Sequence, residues 1–512
     1  MTVAAWLHRN AHWRGDNIAL VSAQRRLSYA EFNARVNQQV HGLYRQGLAK
    51  GDRVAVLLNN TVEAVEALAT AAKGGFVHVP INFRLSPREV AQILRHSGAR
   101  VLLIDREYAG KLPTAGDCPD LERVFLIDPA DADSDFEGWL AEGGAGEPDV
   151  DIVDDDDFLI VYTSGSTGEP KGVLFQQRQS TIHAPIPVLH YEIAEDSRLL
   201  MVYPHNSVAS MNMFYIPAWM VGATVVLADA RGFSAEGWLD WVQRERISHC
   251  HLVPTMLFRV QDSPGLADAD LSSLRTIGYG SAPMPRERVE RLRQTFGPIL
   301  IQGYGMTEVS SLATVLGKAD HERALAGDGG LLASCGRPVF GSEIRVIDDD
   351  GVDVPVGEPG EIVFRGPLLM SGYWREPERT AETIKNGWLH SGDVGRFDGD
   401  GYLYIVDRKK DIIISGGANI AGREVEEVLY WHDAVREAAV VGRPDAEWGE
   451  RVHAFIALHE GAEASADELI AFCRDRLAHY KCPDAVTFLP DIPKNALGKF
   501  IKPELRARLA GG

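Results

Sequence analysis

Ten consecutive residues, Thr163-Ser164-Gly165-Ser166-Thr167-Gly168-Glu169-Pro170-Lys171-Gly172, hold four hydroxyl side chains, three glycines and one lysine. Glycines let backbone N–H groups point at an anion, hydroxyls add donors, and Lys171 adds positive charge, which is the set a polyphosphate needs. The spacing is not that of the common P-loop, since no G-x-x-x-x-G-K-[ST] occurs. Composition alone leaves two readings, a phosphate cradle or a flexible surface loop. Three more clusters carry chemistry. Gln302-Gly303-Tyr304-Gly305-Met306-Thr307-Glu308 places an aromatic between glycines, able to stack on a flat ring, before a Thr–Glu pair suited to phosphate and a hard cation. Trp388-Leu389-His390-Ser391-Gly392-Asp393 ends on a carboxylate that can accept from ribose hydroxyls, and Pro493-Lys494-Asn495-Ala496-Leu497-Gly498-Lys499 ends on a lysine. Each of these, taken singly, also reads as a surface loop.

The elements that must position them are helix–strand units. Ser28-Tyr29-Ala30-Glu31 reads as a capping box, and Phe32, Val36, Val40 and Leu43 recur on one helical face. Gly47 stops that helix, and 54–58 follows as a buried-strand pattern. Such units continue through 223–227 and 247–253, so the chain is α/β with largely covered sheets. The Gly- and Asp-rich stretch 142–157 leads into the β-prone run 158–162, and Asp154 to Asp157 read as a solvated loop in preference to a metal site. From 343 to 404 short strands alternate with the turn clusters 348–351 and 398–401. Those turns resemble calcium-loop fragments, but the other EF-hand ligands are missing and hairpin turns are the expectation. Charged residues 407–411 separate two β-like runs, and a small C-terminal domain is expected from residue 410 onward.

Bulk properties narrow the function. The 512 residues call for two to four domains, and a formal charge of −20 argues against general nucleic-acid binding while allowing a local basic pocket. The five cysteines (Cys118, Cys250, Cys335, Cys473, Cys482) show no metal-ligand spacing and read as reduced thiols of a cytoplasmic protein. The N-terminus lacks a signal-peptide core, and no apolar run reaches the roughly 18–20 residues that span a bilayer.

In order and rough spacing, the motifs at 162–172, 304–308, 387–393, 407–411 and 493–499 resemble those of the adenylate-forming superfamily of acyl-CoA synthetases, adenylation domains and luciferases, over essentially the whole chain. The resemblance implies a large N-terminal domain (1–409) of two covered α/β subdomains plus a distorted β-barrel, and a small mobile α+β C-terminal domain (410–512) swinging about Lys410. It implies that Thr163, Ser164, Gly165, Ser166, Thr167, Gly168 and Lys171 hold the β- and γ-phosphates of ATP, and that Thr307 and Glu308 serve the α-phosphate and Mg²⁺. Tyr304 would stack on adenine within a wall of Gln302, Gly303, Gly305 and Met306, with Gly280, Ser281 and Ala282 on the other face. Asp393 and Arg408 would hold the ribose, and Lys499 would be the adenylation lysine. Gly416 and Gly417 would line the thiol tunnel, with coenzyme A as acceptor.

Amino-acid-activating members carry an Asp in the acid-pocket motif; here Tyr203-Pro204-His205-Asn206-Ser207-Val208-Ala209 has none, so the implied acid lacks an α-amino group. Tyr203, His205, Ser207, Met211 and Gly278 are the expected acid wall, and small side chains at 207, 278, 280 and 303 favour a bulky acid. Ser207 stands where many relatives have His or an aromatic, and Ala418, Ala421 and Gly422 replace the usual Glu and bulky-residue–Pro of the thiol-side loop. The expected function is ATP-dependent formation of acyl-AMP and then acyl-CoA. A member performing mainly one half-reaction, or loading a carrier protein, is the alternative. The oligomeric state stays open, with a homodimer among the options.

Overall fold

The computed structural model describes residues 2–510 except 115, 132–133, 164–169, 281–283, 285, 417, 446 and 495–499. The capping box forms as expected: the Glu31 N–H donates to Ser28 Oγ and the Ser28 N–H to Glu31 Oε2. It opens the helix Tyr29–Arg45, whose Phe32, Val36, Val40 and Leu43 are buried. Units of this kind build two large sheets. The first runs Arg337–Pro338, Thr314–Leu316, Leu300–Tyr304, Thr276–Gly280, His249–Leu252, Arg198–Met201, Thr224–Leu227, Ile18–Val21, Arg26–Ser28. The second runs Gly372–Tyr373, Lys171–Gln176, Asp157–Thr163, Val77–Pro80, Arg53–Leu57, Val101–Asp105, Arg123–Ile127. Their central parallel strands are buried on both faces and mostly apolar, as Val101–Asp105 and Thr224–Leu227 illustrate.

Two consequences bear on function. His249–Leu252, Thr276–Gly280 and Leu300–Tyr304 run parallel in direct register, so their carboxyl ends open at one edge, where α/β sheets bind ligands. Asp157–Thr163 and Lys171–Gln176 pair antiparallel with Thr163 opposite Lys171, so the Gly/Ser loop closes a hairpin. In the acidic stretch before it, Asp155 pairs with Arg178 at 2.8 Å and Asp156 with Lys50 at 2.7 Å, as suits a solvated loop.

Where the distorted barrel is expected stands a five-stranded antiparallel sheet, Glu343–Ile347, Gly360–Arg365, Trp388–Phe397, Ile384–Lys385, with Leu403–Arg408 also on Trp388–Phe397. Its turns use their own carboxylates: Asp348 Oδ1 accepts from the N–H groups of Asp350 and Val352, and Asp398 Oδ1 from those of Asp400 and Tyr402. Those oxygens serve the turn backbone, the Asx arrangement of a hairpin.

Residues from 413 onward form a sheet of their own, comprising Ile413–Ser415, Ala418–Ile420, Val435–Asp445, Gly449–Leu458 and Ala485–Phe488. Val425, Val428 and Leu429 of the helix Gly422–Leu429 pack there with Val440, Ile456 and Leu469. The turn joining this unit to the rest is tight, with the N–H groups of Asp411 and Ile412 both donating to the Arg408 carbonyl. Lys410 at its tip is exposed. On either side two buried carboxylates are held by the C-terminal unit: Asp407 Oδ2 accepts from the Arg423 N–H at 3.3 Å, and Asp411 Oδ1 pairs with Arg506 at 2.8 Å. Arg506→Ala leaves the Asp411 carboxylate buried without its cation, and a loss of about 1–3 kcal/mol is expected. Calorimetry of the full chain measures it; a double-mutant cycle with Asp411→Asn that shows no coupling would contradict the assignment.

Candidate functional site

The centre of the site is a place where backbones touch. Gly280 pairs with Gly303, and a Cβ on Gly280 would stand 2.5 Å from the Gly303 carbonyl oxygen. A Cβ on Gly305 would stand 2.1 Å from the Ser311 oxygen, so the glycines around Tyr304 are required by contact. Tyr304 reaches from this edge to the antiparallel sheet, where its hydroxyl donates to Asp393 Oδ2 at 2.7 Å. Burial, then the neighbouring Asp393 charge, holds this phenol well above its ordinary range, so it stays a donor. Cross-strand pairing sets Arg408 opposite Asp393, with Nε 3.2 Å from Oδ1. A carboxylate with a phenol on one oxygen and a guanidinium on the other is a fixed acceptor for paired hydroxyls.

Beyond Met306, Thr307–Val309 makes one 3-10 turn that turns Glu308 inward. Glu308 is buried; its Oε1 accepts from the Tyr373 hydroxyl at 3.1 Å and its carbonyl from the Met370 N–H at 2.8 Å. The Lys171 ammonium lies 5.1 Å over the Tyr373 ring, which joins the end of the Gly/Ser hairpin to Glu308. Nothing in Ser371-Gly372-Tyr373 announces this. Only the pairing of Gly372–Tyr373 with the strand Lys171–Gln176 puts Tyr373 there.

The acid side departs from expectation. Ser207 caps the short helix Val208–Ser210, its Oγ accepting from the Ala209 N–H at 3.2 Å, and Met211 is fully buried. His205 is buried 6.1 Å (ring centroids) from His78. The room expected at the glycines is taken. A Cβ on Gly278 would meet Tyr191 at 2.5 Å and His251 Nδ1 at 2.6 Å, and one on Gly303 would meet Leu312 at 2.4 Å. With the Gly303 oxygen against Gly280, small residues at 278, 280 and 303 do not widen the pocket, because covering elements pack down onto them. The Tyr191 hydroxyl and His251 Nδ1 are hydrogen-bonded at 2.8 Å; neither residue carries a sequence signature of a site.

On the thiol side, Gly416 has φ +57 and its N–H donates to the Trp448 carbonyl at 2.8 Å, while a Cβ there would strike the Trp448 ring at 2.5 Å. Ala418–Ile420 pairs with Ile413–Ser415, and the helix Gly422–Leu429 follows at once, so Ala418, Ala421 and Gly422 leave this hairpin and helix formed. Thr163 ends its strand, and Gln302 is buried with Oε1 free of protein partners among the described residues. Ser164, Gly165, Ser166, Thr167, Gly168, Ser281, Ala282, Gly417 and Lys499 lie outside the described residues.

Burial lowers His183, His205, His249 and His251 to about 4, below the ordinary 6.5. The unfolded chain therefore binds protons between pH 6.5 and 4 that the folded chain does not. Folded-state stability is complete above pH 6.5 and declines as pH falls toward 4, by about 1.4 kcal/mol per pH unit for each histidine. Urea midpoints at pH 7 and pH 5 test this; equal midpoints would contradict it.

Comparison with known proteins follows the same two-part layout. The family described as AMP-binding enzyme matches residues 7–374, and AMP-binding enzyme C-terminal domain matches 424–499. A feruloyl-CoA synthase of Amycolatopsis sp is 38% identical over 506 residues, 99% of each chain. The long-chain-fatty-acid–CoA ligase FadD13 of Mycobacterium tuberculosis is 36% identical, covering 94% of this chain and 93% of its own. Among solved structures, the anthranilate CoA ligase AuaEII in complex with anthranoyl-AMP superposes with a TM-score of 0.91 at 27% identity, over 99% of this chain and 97% of that one. The chain belongs to the AMP-binding enzyme family, the adenylate-forming superfamily, in its acyl-CoA synthetase branch of AMP-forming acid–thiol ligases.

Proposed function

We propose that this ligase activates a carboxylic acid without an α-amino group as its acyl-adenylate and passes the acyl group to coenzyme A. The observation that carries the reading is the convergence of Tyr304, Asp393 and Arg408 with Glu308, Tyr373 and Lys171 at the carboxyl edge of one sheet. On this reading Asp393 and Arg408 hold the ribose hydroxyls and Tyr304 lies against adenine beside Gly303 and Gly280. Thr163 and Lys171 bracket a hairpin that holds the β- and γ-phosphates, and Thr307 contacts the α-phosphate. Glu308 fits a hard cation: Oε1 carries the Tyr373 hydroxyl, and Oε2 accepts from none of the described residues. Bound Mg²⁺ there supplies neutralisation of phosphate charge.

Lys499 meets the remaining charge where the two anions approach. The acid needs no general base, being ionised at neutral pH; its oxygen forms a bond to the α-phosphorus as the bond to pyrophosphate breaks. A swing about Lys410 then withdraws Lys499 and brings the Gly416 side of the small domain to the adenylate. The thiol attacks the acyl carbonyl, loses its proton, and AMP departs. A cytoplasmic location belongs to the same reading, since all five cysteines are unpaired and buried and no helix is long and apolar enough to cross a membrane, among the described residues. So does a homodimer.

Lys499→Ala is expected to cut ATP-dependent hydroxamate formation by about 10²–10⁴, and Glu308→Gln by about 10–10³ with a raised Mg²⁺ requirement. In Lys499→Ala, a supplied acyl-adenylate should still give thioester. If no acid yields hydroxamate with ATP in the wild type, yet a supplied adenylate yields thioester, the full-ligase reading fails and a single half-reaction replaces it.

A further inference from the structure

The root of the Gly/Ser hairpin is tied at both of its strands, and the ties close on one residue. Tyr162 stands immediately before Thr163, and its cross-strand partner is Gly172. A Cβ on Gly172 would come within 3.2 Å of the Tyr162 ring and 2.9 Å of Ile160, so the glycine lets that ring lie across its own partner strand. The Tyr162 hydroxyl and His96 Nδ1 are hydrogen-bonded at 2.7 Å, with the two rings edge to face. On the other strand the Gly172 carbonyl accepts from the Trp374 N–H at 2.7 Å. Arg375, next along, returns to the start, its Nη1 donating to the His96 carbonyl at 3.3 Å. His96, Tyr162, Gly172, Trp374 and Arg375 thus form a closed circuit.

Two features set this circuit apart from ordinary loop packing. Arg375 holds φ +56, a left-handed backbone that a residue with a side chain adopts at a cost and keeps only where its surroundings over-determine it. His96 itself stands on a fixed base, the last turn of the helix Pro87–Ser97. There Arg53 donates from Nε to the Ser97 carbonyl at 3.0 Å and from Nη2 to the Gly98 carbonyl at 2.6 Å. Two guanidinium groups, those of Arg53 and Arg375, therefore answer three successive carbonyls at the negative end of this helix. The circuit also reaches Glu308: Tyr373, one residue before Trp374, donates to that carboxylate and lies under Lys171. On the ATP reading above, on which this rests, we infer that His96 is a positioning residue for the triphosphate. Through Tyr162 and Arg375 it fixes the hairpin against Glu308, so that the β- and γ-phosphates and their cation meet one preset frame. It acts on the hairpin and not on the nucleotide.

The test is calorimetric titration of the full chain with Mg·ATP and with AMP, which shares the nucleoside and α-phosphate but lacks the other two phosphates. In His96→Ala the Kd for Mg·ATP should rise about 5–20-fold while that for AMP stays within about 2-fold. Tyr162→Phe, which removes only the hydroxyl, should give the same split. The double variant should be no weaker than the weaker single, because both changes cut one link. A smaller folded fraction lowers the titration stoichiometry and leaves the ratio of the two constants alone, so a merely structural role would not produce the split. Equal losses for both nucleotides, unchanged Mg·ATP affinity in the two single variants, or losses that add in the double variant would each overturn the inference and leave acid activation standing. A wild type that binds neither nucleotide would overturn the ATP reading and the inference together.

Discussion

The hydrogen bond between Tyr304 and Asp393 is the contact on which the arrangement of this protein turns. It runs from the last residue of a parallel strand to a strand of a different, antiparallel sheet. Arg408, opposite Asp393, is the last residue of its strand before the tight turn into the C-terminal unit. One carboxylate thus ties together the α/β layer, the antiparallel sheet and the root of the C-terminal unit. A charge-assisted bond of this kind contributes only about 1.5–3 kcal/mol. Its importance is geometric, because it sets where the second sheet stands over the edge of the first.

The glycines around that contact serve opposite ends on its two sides. On one side, Gly280 and Gly305 allow backbone to lie against backbone at the edge where Tyr304 sits. On the other, Gly278 admits Tyr191 and His251 in place of its own side chain. The same residue type therefore makes room in one place and fills it in the other. What decides is the covering element, which comes from elsewhere in the chain: Tyr191 from the helix Pro185–Tyr191, Leu312 from the loop after Glu308.

The C-terminal unit shows the same division between cores and contacts. Its two apolar clusters are separate from those of the larger part among the described residues, so it has cores of its own. Yet Asp407 and Asp411, which flank the turn, are held by Arg423 and Arg506 of that unit. Between these two held carboxylates lie the exposed Arg408, Lys409 and Lys410.

Local pattern was enough for much of this molecule. The capping box at Ser28, the buried strand after Gly47, the Asx hairpin turns at Asp348 and Asp398 and the helix carrying Val425 are all short-range consequences of side-chain chemistry, and short-range chemistry is written in order along the chain. The order of the motifs likewise carried the family, and it singled out Tyr304, Glu308, Asp393 and Arg408, which the fold brings to one region. Tyr373, Tyr191 and His251 were not legible, because each acquires its role from a partner reached through strand pairing or helix packing. The room expected beside the glycines at 278, 280 and 303 was misread for the same reason: a glycine states what it lacks, and only the tertiary structure decides which neighbour occupies the space.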